Sequence, residues 1–325
     1  MQQGEDMNND HYTIGIDAGG TKVAYGLFDF DGNLIDRFEH PSDPEADGPA
    51  FSDRMAETVE MLLEKNAISR QLLDGVGVCM PSYIMYDEGY IFLTSALPKV
   101  RDFYMRDYLR NKLHVPVLLD NDANAAALAE YRRGAGAGKD LKHMVYIAIS
   151  TGIGSGIIIN RDLYRGSYGF AGECGHMLIT PDEGIECGCR NKGCFMSYAG
   201  GRYIPMHLKD RLHEGRRSIL SGIDETVLSC REILPACREN DPLAMEMLGQ
   251  MAHYIAVCVY NIYELLNINT FVFGGGLTSF GDLLFDRVRG EFDRYNHIKL
   301  PVTFLTAQLK KDFGIIGASE LVRGN

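Results

Sequence analysis

The chain has 325 residues, of which 46% are hydrophobic and 23% charged, so it is long enough for two domains with their own cores. Its formal net charge of −12 argues against nucleic acid or an anionic membrane as a partner, because polyanion binding needs a basic surface. We find no basic segment followed by an apolar run and no apolar stretch long enough to span a membrane. We therefore expect a cytoplasmic protein without a signal peptide, and a frayed tail over the polar residues 1–10.

A glycine turn follows the first predicted strand. Residues 12–16 are apolar and lead into Asp17-Ala18-Gly19-Gly20-Thr21-Lys22, after which strands are predicted over 23–28 and 33–38. Backbone N–H groups in such a turn can approach an anion, Thr21 adds a hydroxyl donor, and Asp17 could orient a metal-bound water. A simple Gly-Gly hairpin is the alternative interpretation. A Walker P-loop is excluded, because its spacing is absent and no helix follows.

A polar junction follows the strand predicted over 115–119. Before it, the pattern predicts a helix over 47–65, a strand over 75–80 that ends at Pro81-Ser82-Tyr83, a hairpin over 83–96 and a helix over 103–113. The junction itself reads Asp120-Asn121-Asp122-Ala123-Asn124 and opens a helix of small residues over 125–131. Such side chains at a strand end suit polyol recognition, and one carboxylate could take a proton from a hydroxyl. N-capping explains one of these residues but not four.

The strand–turn–strand pattern occurs a second time. A strand over 144–150 enters Ser150-Thr151-Gly152-Ile153-Gly154-Ser155-Gly156 and is followed by a short strand over 157–160. Two such units in one chain indicate an internal duplication, with two glycine turns facing each other across a cleft.

The cysteines indicate a metal site rather than disulfides. His176, Cys187, Cys189 and Cys194 fall within 19 residues, and thiolate-rich ligand sets favour zinc. A closed Cys3His site is structural, so the metal is expected to shape a loop that also carries Glu173. Of the other five cysteines, Cys174 lies beside His176 and four stand singly, at Cys79, Cys230, Cys237 and Cys258; all five are expected to be reduced thiols in the cytoplasm.

The last third of the chain is predicted to be mainly helical. Helices are predicted over 198–212, 225–238 and 244–266, strands over 270–273 and 302–307, and a closing helix over 314–322. The helix over 244–266 is apolar nearly all round, which predicts a buried or interface helix and, we expect, a homodimer. Gly274-Gly275-Gly276 follows a strand and would let the backbone approach a flat ligand closely; a loose loop is the alternative.

Taken together, these motifs resemble the ROK family (repressors, open reading frames and sugar kinases) of the actin-like ATPase superfamily. The resemblance covers nearly the whole chain and rests on DAGGTK, DNDAN, STGIGSG, the Glu173–His176 element with the cysteine cluster, and GGGL. It implies an α/β fold of two actin-like (ribonuclease H-like) domains, each with a mixed five-stranded sheet, around a cleft. The smaller domain would comprise 1–124 plus 311–325, and the larger 125–310, with the zinc knuckle at 176–194.

The resemblance also implies roles for individual residues. Asp122 would be the general base that takes the proton from the attacking sugar hydroxyl. Sugar hydroxyls would be bound by Asn121, Glu173 and His176, and zinc by His176, Cys187, Cys189 and Cys194. ATP, as its magnesium complex, would contact three glycine-rich segments, at Asp17, Gly19, Gly20, Thr21 and Lys22, at Thr151, Gly152 and Gly154, and at Gly274, Gly275 and Gly276.

The implied activity is ATP-dependent phosphorylation of a hexose or hexose derivative at the 6-hydroxyl, with substrates such as glucose, allose, mannose, fructose or an N-acetylated hexosamine. Kinases of glucose-type sugars in this family usually carry a second sugar-binding Glu where this chain has Met196. The Pro81-Ser82 turn and the segment 197–203 are similar to the allose-kinase branch. The alternative is a catalytically silent, sugar-sensing regulator or binding protein; DNA binding is not expected, since few residues precede the first strand and the charge is acidic.

Overall fold

Two five-stranded mixed sheets form the framework of the protein. The computed structural model describes residues 11–94 and 96–324. The expected frayed tail over 1–10 therefore lies outside the described residues. The strands are β1 (Tyr12–Ala18), β2 (Lys22–Phe28), β3 (Leu34–Pro41), β4 (Leu73–Met80), β5 (Ser82–Met85), β6 (Tyr90–Thr94), β7 (Val117–Asn121), β8 (Met144–Ile149), β9 (Ile153–Ile159), β10 (Asp162–Leu163), β11 (Thr270–Gly274) and β12 (Thr303–Thr306).

The two sheets have the same strand order, as expected from the repeated sequence pattern. The first sheet is ordered β3-β2-β1-β4-β7 and the second β10-β9-β8-β11-β12, while β5 and β6 form a separate hairpin. In each sheet three strands run as an antiparallel meander and two more are added in parallel. This equivalence confirms the predicted mixed five-stranded sheets.

Nine helices cover the sheets within the described residues. They are α1 (Gly48–Lys65), α2 (Met105–Leu113), α3 (Asp122–Arg133), α4 (Met196–Ala199), α5 (Ile204–His213), α6 (Cys230–Arg238), α7 (Pro242–Leu266), α8 (Asp282–Tyr295) and α9 (Phe313–Arg323). None of the described helices combines the length and apolar character that crossing a bilayer demands.

Helices α3 and α9 pack against each other and lie between the two sheets. Helix α3 packs on β8 and β9, and α9 packs on β1 and β4. Both contacts of α9 depend on glycines. Against β4, a Cβ on Gly77 would meet the Ala318 carbonyl oxygen; against α3, a Cβ on Gly317 would meet the Ala125 carbonyl oxygen. The last helix of the chain thus returns to the first sheet. The predicted domain boundary at residue 124 falls inside α3, and the division into domains stays a prediction.

Several boundaries differ from the sequence prediction for local reasons. The helix predicted over 198–212 is broken at Gly200-Gly201, because the Gly201 N–H donates to the Ser150 carbonyl oxygen at 2.8 Å. Helix α6 begins at Cys230, not at residue 225, because Ser229 and Glu232 form a reciprocal capping box. Helix α8 was not predicted, although Leu284, Val288 and Phe292 recur at helical spacing and are buried.

Helix α7 is buried by the chain itself. Its residues Met247, Met251, Ile255 and Val259 are fully inaccessible and belong to the largest hydrophobic core, between the second sheet and helices α6 and α8. Most of the apolar surface that suggested a homodimer is therefore already covered, with Leu265 near the end of the helix as an exposed exception. The homodimer stays a prediction without that support.

Candidate active site

Acidic side chains gather where the parallel strands of the first sheet end. In the strand register Asp17 of β1 lies beside Cys79 of β4, and Cys79 lies beside Asp120 of β7. The Cys79 thiol donates to the Asp17 carboxylate, with Sγ and Oδ1 3.8 Å apart. The carboxyl edge of a parallel sheet is the usual place for a ligand site, and three predicted site residues, Asp17, Asn121 and Asp122, lie at or next to it.

Asn121 and Asp122 form the start of helix α3. Asn121 is the N-cap and accepts a hydrogen bond from the Ala123 N–H at 2.8 Å, while its own amide donates to the Ser82 carbonyl oxygen at 3.2 Å. Its role as a cap does not exclude ligand contact, since it is only partly buried. The Asp122 carboxylate also accepts from the Ala123 N–H, at 2.9 Å, and so lies at the positive end of the helix dipole.

The environment of Asp122 makes it a weaker acid than an ordinary aspartic acid. Burial raises the pKa of Asp122 to about 6, and the negative charge of Asp17 adds to the shift. Burial likewise raises the pKa of Glu173, with the charge of Asp122 as the second cause, and burial is the main cause of the raised pKa of Asp17. The charge of Asp122 is therefore coupled to the carboxyl groups of both Asp17 and Glu173.

The first glycine turn is a tight hairpin turn. The Gly19 N–H donates to the Lys22 carbonyl oxygen at 3.0 Å, and a Cβ on Gly20 would lie 2.8 Å from the Ala96 Cβ. Thr21 and Lys22 are exposed, and the Lys22 ammonium pairs with Glu39 at 2.9 Å. The backbone and hydroxyl of this turn are accessible to an anion, whereas the Lys22 side chain is directed to a neighbouring strand.

The second and third glycine segments lie side by side. Strands β8 and β11 are neighbours, with Ala148 beside Gly274, and Gly275 has a φ of +85° at a point where a Cβ would meet the Ile149 carbonyl oxygen. Gly276 and Thr151 are exposed beside them. Gly154, predicted to belong to the second turn, lies inside β9 instead, where a Cβ would be 3.3 Å from the Ala123 Cβ. Its role in the structure is to let β9 approach α3.

Glu173 and His176 are held in place by a short turn. Residues Cys174–His176 form a single 3-10 turn after Gly172, whose carbonyl oxygen accepts from both the Ser155 N–H (3.1 Å) and the Ser155 hydroxyl (2.6 Å). Both Glu173 and His176 are partly accessible. Tyr83 faces the same region, since burial and then the charge of Glu173 raise the pKa of Tyr83 to about 12.

The predicted metal ligands come together. One ligand atom from each of His176, Cys187, Cys189 and Cys194 lies within 4.8 Å of all the others. Two separations are 3.6 Å, from Cys187 Sγ to His176 Nδ1, and 3.5 Å, between the Cys189 and Cys194 sulfurs. Zinc–sulfur bonds of about 2.3 Å in a tetrahedron place two sulfurs about 3.8 Å apart, so the donor set and its spacing fit zinc.

Arg165 was not identified from the sequence, and its partner Asp120 was identified only as one of the polar residues of the Asp120–Asn124 junction. Asp120 is only 2% exposed and its Oδ2 accepts from Arg165 Nε at 2.8 Å. Asp120 and Arg165 are 45 residues apart, so no local pattern could pair them. The sequence signal for Asp120 was its place among the polar residues that follow a predicted strand, and Arg165 has no such local signal.

Comparison with known proteins finds one matching family model, similar glucokinases and a similar repressor. The model of the ROK family matches residues 13–325. A glucokinase of Halalkalibacterium halodurans is 31% identical over 319 residues, which is 97% of this chain and 96% of that protein. The crystal structure of a ROK family glucokinase from Streptomyces griseus in complex with glucose and AMPPNP superposes with a TM-score of 0.75 at 29% identity, covering 97% of this chain and 100% of the other. A xylose repressor of Bacillus spizizenii is 28% identical over 96% of this chain and 77% of its own length.

Proposed function

Because the chain belongs to the ROK family, we propose that it is an ATP-dependent sugar kinase that phosphorylates the 6-hydroxyl of a hexose or hexose derivative. One observation carries the proposal: Asp122, at the start of helix α3, is close enough to Asp17 of the first glycine turn and to Glu173 of the predicted sugar turn for charge to couple their pKa values. A base in that place can reach a hydroxyl held on the sugar side and face a phosphoryl group held on the turn side. Similarity to a glucokinase at 31% identity supports the same reaction class.

The chemistry follows from these positions. The sugar hydroxyl oxygen attacks the terminal phosphorus of ATP, the bond from that phosphorus to the ADP oxygen breaks, and the hydroxyl proton passes to Asp122. The backbone and hydroxyl donors of the Gly19–Thr21 turn and of Thr151-Gly152 would hold the phosphates, and the Gly274–Gly276 segment would allow the adenosine to approach the backbone closely. Asp17 is the carboxylate suited to orient the hydration shell of the Mg²⁺ that ATP brings, which neutralises phosphate charge.

The cysteine cluster would hold zinc in a structural role. All four positions of a tetrahedron are supplied by the protein, so no position is left for a reacting water. His176 and Glu173 belong to one turn, in which the His176 N–H donates to the Glu173 carbonyl oxygen at 3.0 Å. Fixing His176 by coordination therefore fixes the sugar-binding turn.

Substrate choice would depend on Met196. A Cβ on Gly152 would be 3.3 Å from the Met196 sulfur, and one on Gly175 would be 3.0 Å from its Cε, so Met196 lies between the phosphate turn and the sugar turn. A thioether there offers no charged acceptor to a sugar hydroxyl, unlike the Glu expected in glucose-type members. A site without that acceptor disfavours the sugar that needs it, so glucose is the weaker candidate, beside allose, mannose, fructose or an N-acetylated hexosamine.

A sugar-sensing regulator without catalysis is the second candidate, because a xylose repressor is among the similar proteins. The intact acidic cluster favours the kinase, since a binding protein needs no carboxyl group with a pKa near 6 next to the phosphate turn.

The test is a coupled ADP-release assay with ATP and Mg²⁺ against glucose, mannose, allose, fructose, N-acetylglucosamine and N-acetylmannosamine, with ATP alone as the control for hydrolysis. Sugar-dependent ADP release, with the product identified as a 6-phosphate by NMR, is the expected result. Calorimetric binding of both ATP and a sugar without any ADP release would overturn the kinase and favour the regulator.

A further inference from the structure

The two carboxylates of the Asp120–Asn124 segment have different environments, and only one of them is available for chemistry. Asp120 is buried, and its Oδ1 accepts from the Asn121 N–H and from the Asn124 side-chain amide, both at 2.8 Å. Its Oδ2 accepts from Arg165 at 2.8 Å. Asp120 thus holds the backbone and side chains that flank Asp122 without reaching the site itself.

Arg165 comes from the other sheet. It follows β10, the edge strand of the second sheet, while Asp120 is the last residue but one of β7, an edge strand of the first sheet. The Arg165 guanidinium carbon also lies 3.8 Å from the centre of the Tyr86 ring, at the tip of the β5–β6 hairpin. The carboxylate pairing and the stacking together use the charge and the planar face of the guanidinium, which a lysine could not reproduce.

The segment that begins with Arg165 leads directly into the predicted sugar turn. The Ala171 N–H donates to the Arg165 carbonyl oxygen at 3.0 Å, which closes a loop over residues 165–171 just before Gly172 and Glu173. The loop touches the hairpin again at Gly169, where a Cβ would meet the Ile84 carbonyl oxygen, and at Phe170, whose ring packs edge-on against Tyr83 at 5.2 Å. The positions of Arg165 and of Glu173 therefore depend on how the loop over residues 165–171 packs against the β5–β6 hairpin.

We propose that Arg165 is a positioning residue: by joining Asp120 and Tyr86 it aligns the Glu173 turn with Asn121 and Asp122, so that the sugar is presented to the base. The inference rests on the proposed kinase function and adds a residue with no direct contact to the reacting atoms. The Asp120 carboxylate is the only group that the Arg165 side chain bonds within the described residues, so a single substitution removes the link.

The test compares Arg165→Met and Arg165→Lys with Arg161→Met. Arg161 pairs with Asp140 at the surface, four residues earlier, and is the matched control. A cavity of about 210 Å³ lies between residues 86–88 and 165–169, so a methionine has room to settle without crowding. Steady-state kinetics give kcat and the two KM values, and calorimetry gives sugar binding without ATP.

Arg165→Met is expected to lower kcat by roughly 10- to 100-fold, since small misplacements of reacting groups cost about that much, with the KM for ATP within about twofold of wild type. Arg165→Lys should recover only part of kcat, and Arg161→Met should equal wild type. Equal kcat in Arg165→Met and wild type would overturn the proposal. A fall in ATP affinity as large as the fall in kcat would also overturn it, because it indicates general unfolding instead of misalignment of the sugar turn. If the wild-type protein turns over no sugar, it is the kinase proposal that fails, and the loss of sugar affinity in Arg165→Met by calorimetry still tests the alignment.

Discussion

At the scale of single residues, Asp120 and Asp122 show how position decides the use of a carboxylate. They are two residues apart, yet Asp120 is paired with Arg165 and held by two amide donors, whereas Asp122 has no cationic partner among the described residues and is partly accessible. Both oxygens of Asp120 already accept hydrogen bonds from the protein, so neither is free to contact a substrate hydroxyl. The structure thus favours Asp122 for proton transfer, a role that stays a prediction.

Asp122→Asn is expected to abolish turnover while leaving sugar binding within a few-fold of wild type, because the amide keeps the shape but cannot accept the proton. Loss of a general base typically costs about 10²- to 10⁴-fold in rate. The measurement is ADP release together with calorimetric sugar binding, and Asp140→Asn, a surface carboxylate, is the control. A variant with near-normal turnover would remove Asp122 as the base.

The raised pKa of Asp122 predicts an acid limb in the pH profile. A base is inactive when protonated, so kcat/KM for the sugar should fall as the pH drops through about 6 and should level off above it. Since the charge of Asp17 contributes to the raised pKa, Asp17→Asn should move the limb to lower pH in whatever activity remains. Rates measured from pH 4.5 to 8 in constant ionic strength decide this; a flat profile down to pH 4.5 is incompatible with it.

At the scale of elements, most strands and helices could be predicted because their patterns are local. The glycine turns follow apolar strands, and the capped, periodic helix α1 begins one residue after its Asp47 cap, as the pattern indicated. The break between α4 and α5 was not predicted, because it depends on hydrogen bonds from Gly201 and Arg202 to the distant Ser150 and Thr151 carbonyl oxygens. The early start of β9 likewise depends on its pairing with β8.

The cysteine cluster makes a prediction at this scale. Cys189→Ser should reduce bound zinc from about one ion per chain to well below one, because a four-ligand structural site loses a thiolate. Sugar affinity should fall more than ATP affinity, since the cluster holds the turn with Glu173 and His176. Elemental analysis and calorimetry measure the two effects, with the buried thiol variant Cys230→Ser as the control. Equal zinc content in both variants would exclude the cluster as the metal site.

At the scale of the whole molecule, the close packing of helices α3 and α9 between the sheets joins the first and last parts of the chain. Gly77→Ala places a methyl group against the Ala318 carbonyl oxygen, so α9 must shift away from β4. Such overpacking is expected to lower the free energy of unfolding by about 1–3 kcal/mol. Gly290→Ala is the control with the opposite sign, because nothing lies within 4 Å and an exposed helical alanine gains up to about 1 kcal/mol over glycine. Urea denaturation of both variants measures the difference; equal stabilities would mean that α9 adapts freely.

The sequence by itself determined the glycine turns after strands and the predicted four-ligand cluster, since the residues of each are close together in the chain. It also determined the duplicated pattern and the family, since these combine several such short motifs along the chain. The tertiary structure decided what depends on residues distant in the chain. These are the burial and charges that raise the pKa of Asp122 and the ion pair between Asp120 and Arg165 across 45 residues. The burial of most of α7 by the rest of the chain, which weakens the argument for a homodimer, is the third. Desolvation and ion pairing are set by whatever the fold brings within a few ångströms, and no local pattern carries that information.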